Sequence, residues 1–419
     1  MPTLAKLRAD VRSGAHDGVL SRLYDDPAPA RERILGLADD FEREFGTDGE
    51  LSLFSAPGRT EIGGNHTDHN RGRVLAGAVN MDIIGLARPS EKPLIRLKSR
   101  GFPFNEVPLS DLVPREECSS SNSLIRGLCA GFKRLGRPVG GFEAVTTTDV
   151  LSGSGLSSSA AFENLVGTAI DHLFGDGSLA PEALAKLGQY AENVYLKKPS
   201  GLMDQTASAF GGLVTIDFGD EKPAVRPVKY DFSRSGHALC ITGPIGSHAD
   251  LTAEYAAVPT EMKAVAAELG ASCLREADEA EFWRRLPELY RKMPHRALLR
   301  AAHFYADDAR VPQQVAALES GDFPAFLSLV NASGRSSFMY LQNVVAPDGQ
   351  GLALALALSE QALGSRGAFR VHGGGFAGTI QAFVPRDLAD AYAARMDAVF
   401  GRGACRRLRI RPEGALKIL

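Results

Sequence analysis

From Ala160 onward apolar side chains recur every three or four positions, with Phe162, Leu165, Val166, Ala169, Ile170 and Leu173 on one face, so the spacing predicts a helix over 158–174. The stretch before it, 142–148, is rich in β-branched residues and reads as a strand. A glycine-serine loop joins the two. Elsewhere the same patterns predict a largely helical 1–46, with Ile34, Leu37, Phe41 and Phe45 on one stripe, then a short apolar run at 51–54 and a glycine-rich turn at 63–72. Strands are predicted at 79–87, 94–98, 213–218, 238–242, 369–372, 379–384 and 406–410. Helices are predicted at 121–135, 182–196, 352–363 and 387–400, and through most of 260–334. The class is α/β (α+β), mixed sheets with helices.

A chain of 419 residues exceeds one ordinary core, so two lobes are expected. The predicted division is 1–210 and 211–404, with a last strand in 405–419 able to return to the first lobe. Lys and Arg number 47 against 50 Asp and Glu, a net charge of -3, which argues against a nucleic-acid or membrane surface. An anionic substrate must therefore be held locally. The five cysteines show no C-x-x-C spacing and read as reduced, structural thiols. The N-terminal stretch has no apolar core of a signal peptide and no run reaches a membrane span, so the cytoplasm is the expected compartment. The expected state is a monomer or weak homodimer.

Four stretches carry chemistry. Gly153, Ser154, Gly155, Leu156, Ser157, Ser158 and Ser159 lead into the helix at 158. Unpaired N–H groups at such a helix start, with glycines that let an anion approach, form a phosphate cradle. No Gly-Lys-Ser/Thr ending or third glycine is present, so serine hydroxyls can cap the helix, bond phosphate or sit on Mg²⁺. The second stretch, 56–72, crowds Arg59, Asn65, His66, Asp68 and His69 around a turn, where they can converge on sugar hydroxyls or simply face solvent. A zinc reading of His66-Thr-Asp-His69 lacks its further histidine, Gly64 standing there. In the third, Gly201-Leu-Met-Asp-Gln205, Asp204 is either a helix N-cap or a carboxylate that positions a substrate hydroxyl, and Glu192 either a solvated charge or an Mg²⁺ ligand. The fourth, His372-Gly-Gly-Gly375, would suit an esterase only with a G-x-S-x-G elbow, which the chain lacks.

In order and spacing these four stretches resemble galactokinases of the GHMP kinase superfamily. The resemblance implies two α/β lobes with the site in the cleft between them, ATP and Mg²⁺, and the anomeric hydroxyl of galactose as acceptor. It implies Arg59 and Asp204 as the catalytic pair, His66, Asp68, Gly201 and Tyr255 on the sugar, Gly153 to Ser159 on ATP, and Ser159 and Glu192 on Mg²⁺. Tyr255 is matched only through Ala-Glu-Tyr. The sugar half departs from the pattern. The usual Arg-Val-Asn-Leu-Ile-Gly-Glu-His-Thr-Asp-Tyr becomes Arg59-Thr-Glu-Ile-Gly-Gly-Asn-His-Thr-Asp-His69, with Asn65 where a sugar-binding glutamate is expected. Leu151 replaces a proline, and Pro244-Ile-Gly-Ser-His248 lacks an arginine of its counterpart. An amide at position 65 is expected to grip the sugar more weakly and less selectively than a carboxylate. A kinase for a related sugar such as N-acetylgalactosamine, a catalytically silent sugar and ATP sensor, and a metallo-hydrolase are the alternatives.

Overall fold

Polar caps and apolar stripes set the first three helices, α1 (Leu4–Arg12), α2 (Asp17–Leu23) and α3 (Pro27–Phe45). The Asp26 carboxylate accepts the Ala28 N–H (2.9 Å) at the start of α3, where Pro27 fits the first turn. Leu4, Leu7, Ile34, Leu37 and Phe41 are buried from these helices against Leu53, Ile84 and Leu86 of the first sheet. The computed structural model describes residues 1–115, 121–150, 155–198, 200–243, 251–346, 349–376 and 378–419.

The chain continues through β1 (Ser52–Gly63), β2 (Arg73–Ser90), β3 (Leu94–Ser99), β4 (Phe104–Pro108), α4 (Ser121–Arg134), β5 (Gly141–Thr148), α5 (Ser158–Phe174), α6 (Pro181–Tyr190), α7 (Met203–Phe210), β6 (Leu213–Asp217) and β7 (Ala224–Val228). Next come β8 (His237–Thr242), α8 (Thr252–Glu268), α9 (Glu279–Lys292), α10 (His295–Ser320), α11 (Phe323–Ser336), α12 (Gly351–Leu363), β9 (Ala368–His372), β10 (Thr379–Pro385), α13 (Ala389–Phe400), β11 (Cys405–Leu408) and β12 (Leu416–Lys417). Two π-helical turns, Ala191–Tyr195 and Ser337–Leu341, extend α6 and α11. Among the described residues no helix is long and apolar enough to cross a membrane.

The first sheet runs β12-β1-β2-β5-β3-β4, and the second runs β11-β8-β10-β9. Strand β2 is long enough to take two partners on one edge: Ile83 to Ser90 pair with β5, and Arg73 to Gly77 with β6, which carries β7. The break expected at residue 210 therefore falls ahead of two strands that still extend the first sheet. Of the last segment, β12 pairs with β1 while β11 belongs to the second sheet.

One expectation changes in a way that matters for the site. The stretch from Ala56, read above as a turn, is strand as far as Gly63, and every residue of β1 is buried. A strand covered on both faces has no polar-apolar alternation to signal it. Its Arg59 and Glu61 are polar because they are paired inside the protein, and β1 thus aims them from a rigid element.

Candidate active site

Strand β1 directs Arg59 toward α7. The guanidinium is buried, and its Nε donates to Asp204 Oδ1 at 2.7 Å across 145 residues of sequence. Nη1 donates to the Gly155 carbonyl, and the Arg59 N–H donates to the Leu156 carbonyl at 3.0 Å. One arginine thus ties the strand, the loop ahead of α5 and the start of α7. Helix α7 is held by two further side chains: Asn164 Nδ2 on the Gln205 carbonyl (2.9 Å) and Ser208 Oγ on the Pro57 carbonyl (2.6 Å).

Asp204 lies in the first turn of α7, whose N-cap position is Leu202, so the N-cap reading does not hold. Its side chain is 31% exposed. Burial pushes the carboxyl pKa up, but the charge and hydrogen bond of Arg59, the Ser157 hydroxyl and Lys198 outweigh it and hold Asp204 below the usual carboxylate range. Ser157 sits at the N-cap of α5 in left-handed backbone (φ 57) without making a cap bond. Its hydroxyl is instead spent on Asp204, a strained residue at a functional position. Gly153 and Ser154 lie outside the described residues, as do Leu151 and the 244–250 stretch.

Ser158 and Ser159 open α5 and line one end of a cavity of about 260 Å³. Its walls include Ile83, Phe102, Leu124, Val150, Phe162 and Leu196, none of them picked out by residue type alone. An apolar slot beside the N-terminus of a helix suits a flat base whose phosphates lie at that terminus.

Glu192 sits in the π-helical turn after α6, a distortion common at functional sites. It is buried, with Oε1 accepting from Lys198 Nζ (2.9 Å) and Oε2 from Gln205 Nε2 (3.0 Å). A buried carboxylate that already holds an ammonium, with serine hydroxyls on α5, supplies the hard oxygen donors that Mg²⁺ takes when phosphates and water complete its shell. These residues fit that ion.

Gly201 and Asp68, both expected on the sugar, are placed against each other. A Cβ on Gly201 would stand 2.5 Å from Asp68 Oδ2, so a larger residue there would have to move that carboxylate. His66 Nε2 donates to the Gly374 carbonyl at 3.0 Å, and Tyr255 Oη donates to the Gly375 carbonyl at 2.7 Å. Burial first, then His69, lowers the His66 pKa to about 4, so the ring is neutral at pH 7. Burial raises the Tyr255 phenol. His372 accepts the Glu61 N–H on Nε2 (3.2 Å) and so carries its proton on Nδ1, toward Thr379 Oγ1 (2.9 Å). Burial, then Arg59 and Arg370, keep it neutral.

Asn65 is the correction. It has no exposed surface, and its amide is fully used: Nδ2 donates to Glu61 Oε1 (3.0 Å) and the Gly373 carbonyl (2.7 Å), while Oδ1 accepts from Asn343 Nδ2 (2.9 Å) and Ser337 Oγ (3.2 Å). No lone pair or proton remains for a sugar hydroxyl. Its backbone is gripped as well, the N–H by Asp307 Oδ2 (2.8 Å) and the carbonyl by His303 Nε2 (2.9 Å). Asn65 therefore clamps the signature loop to α10 and to the C-terminal glycine turn. Glu61, Arg370, His303, Asp307 and Asn343 were not found from sequence. The one available signal was His303 and Asp307 at i, i+4 on a helix.

Comparison with known proteins bears on this geometry. The galactokinase galactose-binding signature matches residues 39–89, and the GHMP kinases N terminal domain matches residues 122–212. The galactokinase of Streptomyces coelicolor is 31% identical over 385 residues, covering 90% of this chain and 96% of its own. That of Mycobacterium tuberculosis is 33% identical over 348 residues, covering 80% and 90%. The crystal structure of Lactococcus lactis galactokinase complexed with galactose superposes with a TM-score of 0.79 at 26% identity, over 92% of this chain and 99% of that one. This chain belongs to the galactokinase family of the GHMP kinases and is a sugar kinase.

Proposed function

We propose that the chain transfers the γ-phosphoryl group of ATP to the anomeric hydroxyl of galactose, giving galactose 1-phosphate and ADP. The observation that carries this reading is the Arg59–Asp204 pair, set between the N-terminus of α5 and the Asp68–Gly201 contact. Asp204, held ionised, accepts the hydrogen bond of the attacking hydroxyl and fixes its line to phosphorus. A carboxylate with a depressed pKa is a weak base, so its main work is orientation, with the proton passing to it as the P–O bond forms and the bond to ADP breaks. Arg59 stabilises charge on the transferred group, and the α5 N–H groups bind the phosphate oxygens. Mg²⁺ at Glu192 and Ser159 would draw charge from those oxygens when bound. Phe102, Leu124 and Phe162 would wall the adenine.

The saturated Asn65 amide supports a second reading. The pocket offers no free hydrogen-bonding group at that position, so a hexose altered there, such as N-acetylgalactosamine, would lose less than in a pocket with a carboxylate. ADP release from Mg²⁺-ATP with galactose, glucose, talose and N-acetylgalactosamine tests both readings. Turnover with galactose above all others supports the first; turnover with another hexose only replaces it by the second. No sugar-dependent ADP release, with sugar and ATP both bound, would leave a sensor.

A further inference from the structure

Behind Glu192 lies a second acidic side chain that the reaction above does not use. Glu163, on the second turn of α5, has no exposed surface. Its Oε2 accepts from Gln205 Nε2 at 3.0 Å, and the same nitrogen donates to Glu192 Oε2 at 3.0 Å. A side-chain amide has two N–H protons, so each carboxyl receives one. The opposite orientation would set the amide oxygen against both carboxyls, which fixes which way Gln205 faces. Its far end is fixed too, since Asn164, next to Glu163, donates to the Gln205 carbonyl at 2.9 Å.

The surrounding packing is built around this link. Gly188 of α6 faces the pair, and a Cβ there would stand 2.7 Å from Glu163 Oε2 and 3.0 Å from Gln205 Cγ. Helices α5, α6 and α7 and the π-helical turn thus meet at one acid-amide-acid bridge. The far oxygens, Glu163 Oε1 and Gln205 Oε1, are buried with no hydrogen-bond partner among the described residues. Two such orphans are costly, which makes the bridge a poor device for stability alone.

We propose that Glu163 and Gln205 are positioning residues for the divalent cation: Gln205, held by Glu163, occupies Glu192 Oε2 and leaves Oε1 to be exchanged between the Lys198 ammonium and the metal. Lys198 is 56% exposed at its side chain and can swing away, whereas the bridge cannot. The cation's affinity is then set by a rod that also abuts Asp204, the residue before Gln205. Outer partners that orient a metal ligand commonly carry this kind of weight. Glutamine differs from glutamate at a single terminal atom, so it is a near-isosteric replacement that keeps an acceptor for Gln205.

The inference rests on the Mg²⁺ role given to Glu192 above, and the test separates the two. Calorimetry of ADP binding to the full chain over a Mg²⁺ series gives the Mg²⁺ concentration for half-maximal binding without turnover. Glu163→Ala should raise that concentration about 10-fold, while Glu163→Gln, which keeps an acceptor for Gln205, should stay within about twofold of the parent. The KM for sugar should be unchanged in both. Should Glu163→Ala fail to fold, Gln205→Met, of similar volume, is expected to show the same 10-fold loss. Parent-like Mg²⁺ dependence in Glu163→Ala, loss in Glu163→Gln equal to that in Glu163→Ala, or a matching rise in sugar KM would each overturn the positioning role. ADP binding by the parent that ignores Mg²⁺ would overturn the metal assignment of Glu192 itself, and this inference with it.

Discussion

Replacing Asn65 by aspartate changes one NH₂ into an oxygen and almost nothing in size, so it isolates the clamp from packing. Two donated hydrogen bonds disappear, to Glu61 Oε1 and to the Gly373 carbonyl, at a position with no exposed surface. The Gly373 carbonyl, left without its donor, costs about 1 to 3 kcal/mol, while Glu61 Oε1 keeps the bond from Arg370 Nη2 at 2.6 Å. An unfolding entropy of about 2.1 cal/mol/K per residue over 419 residues gives about 0.9 kcal/mol/K. The melting temperature should fall by about 1 to 3 °C. The loss should also depend on pH. Burial and the neighbouring Glu61 raise the folded pKa of the new carboxyl above its unfolded value near 3.9. Stability is then greatest below the unfolded pKa, where the group is protonated in both states, and is lost as pH rises toward the folded pKa. Thermal melts of parent and Asn65→Asp at pH 5 and pH 8 should show the wider gap at pH 8. A variant that melts with the parent at both pH values, or that binds galactose more tightly, would refute the clamp and return Asn65 to the sugar pocket.

Asp204→Ala should keep the fold, since the residue is 31% exposed and caps nothing, yet lower kcat by about 10²-fold or more, by stopped assays of ADP release. Gly201→Ala should push Asp68 aside and raise the sugar KM about 10-fold or more with the KM for ATP unchanged; equal KM values would detach Asp68 from the sugar. His66, with its pKa lowered from 6.5 to about 4, favours folding in its neutral form, so its contribution is present above pH 6.5 and is lost as pH falls toward 4. His66→Gln should therefore flatten the fall in melting temperature between pH 6.5 and 4, and an unaltered slope would show that another group carries it.

The sequence by itself determined the elements whose period is strong, and the residue types of the site. Helix α5 spans the residues its apolar stripe predicted, and β6, β8, β9 and β10 lie where apolar runs were read, because local spacing alone decides which face can be buried. Arg59, Asp204, Glu192 and Asp68 could be picked out as candidates, since glycine-bearing stretches rich in polar groups stand apart from periodic ones. Only the tertiary structure decided what each side chain faces. Nothing near Arg59 in the chain names Asp204 as its partner, and nothing in the signature loop reveals that Asn65 is saturated by groups from β1, the π-helical turn after α11 and the C-terminal glycine turn. The sequence left the Ser157 hydroxyl open to capping the helix, phosphate or Mg²⁺, and the fold sets it on Asp204. No spacing marks Glu163, which is buried against Gln205. The reason is common to all four: burying a polar group demands partners, and those partners come from whatever elements fold against it, so its role is fixed by assembly rather than by neighbours in sequence.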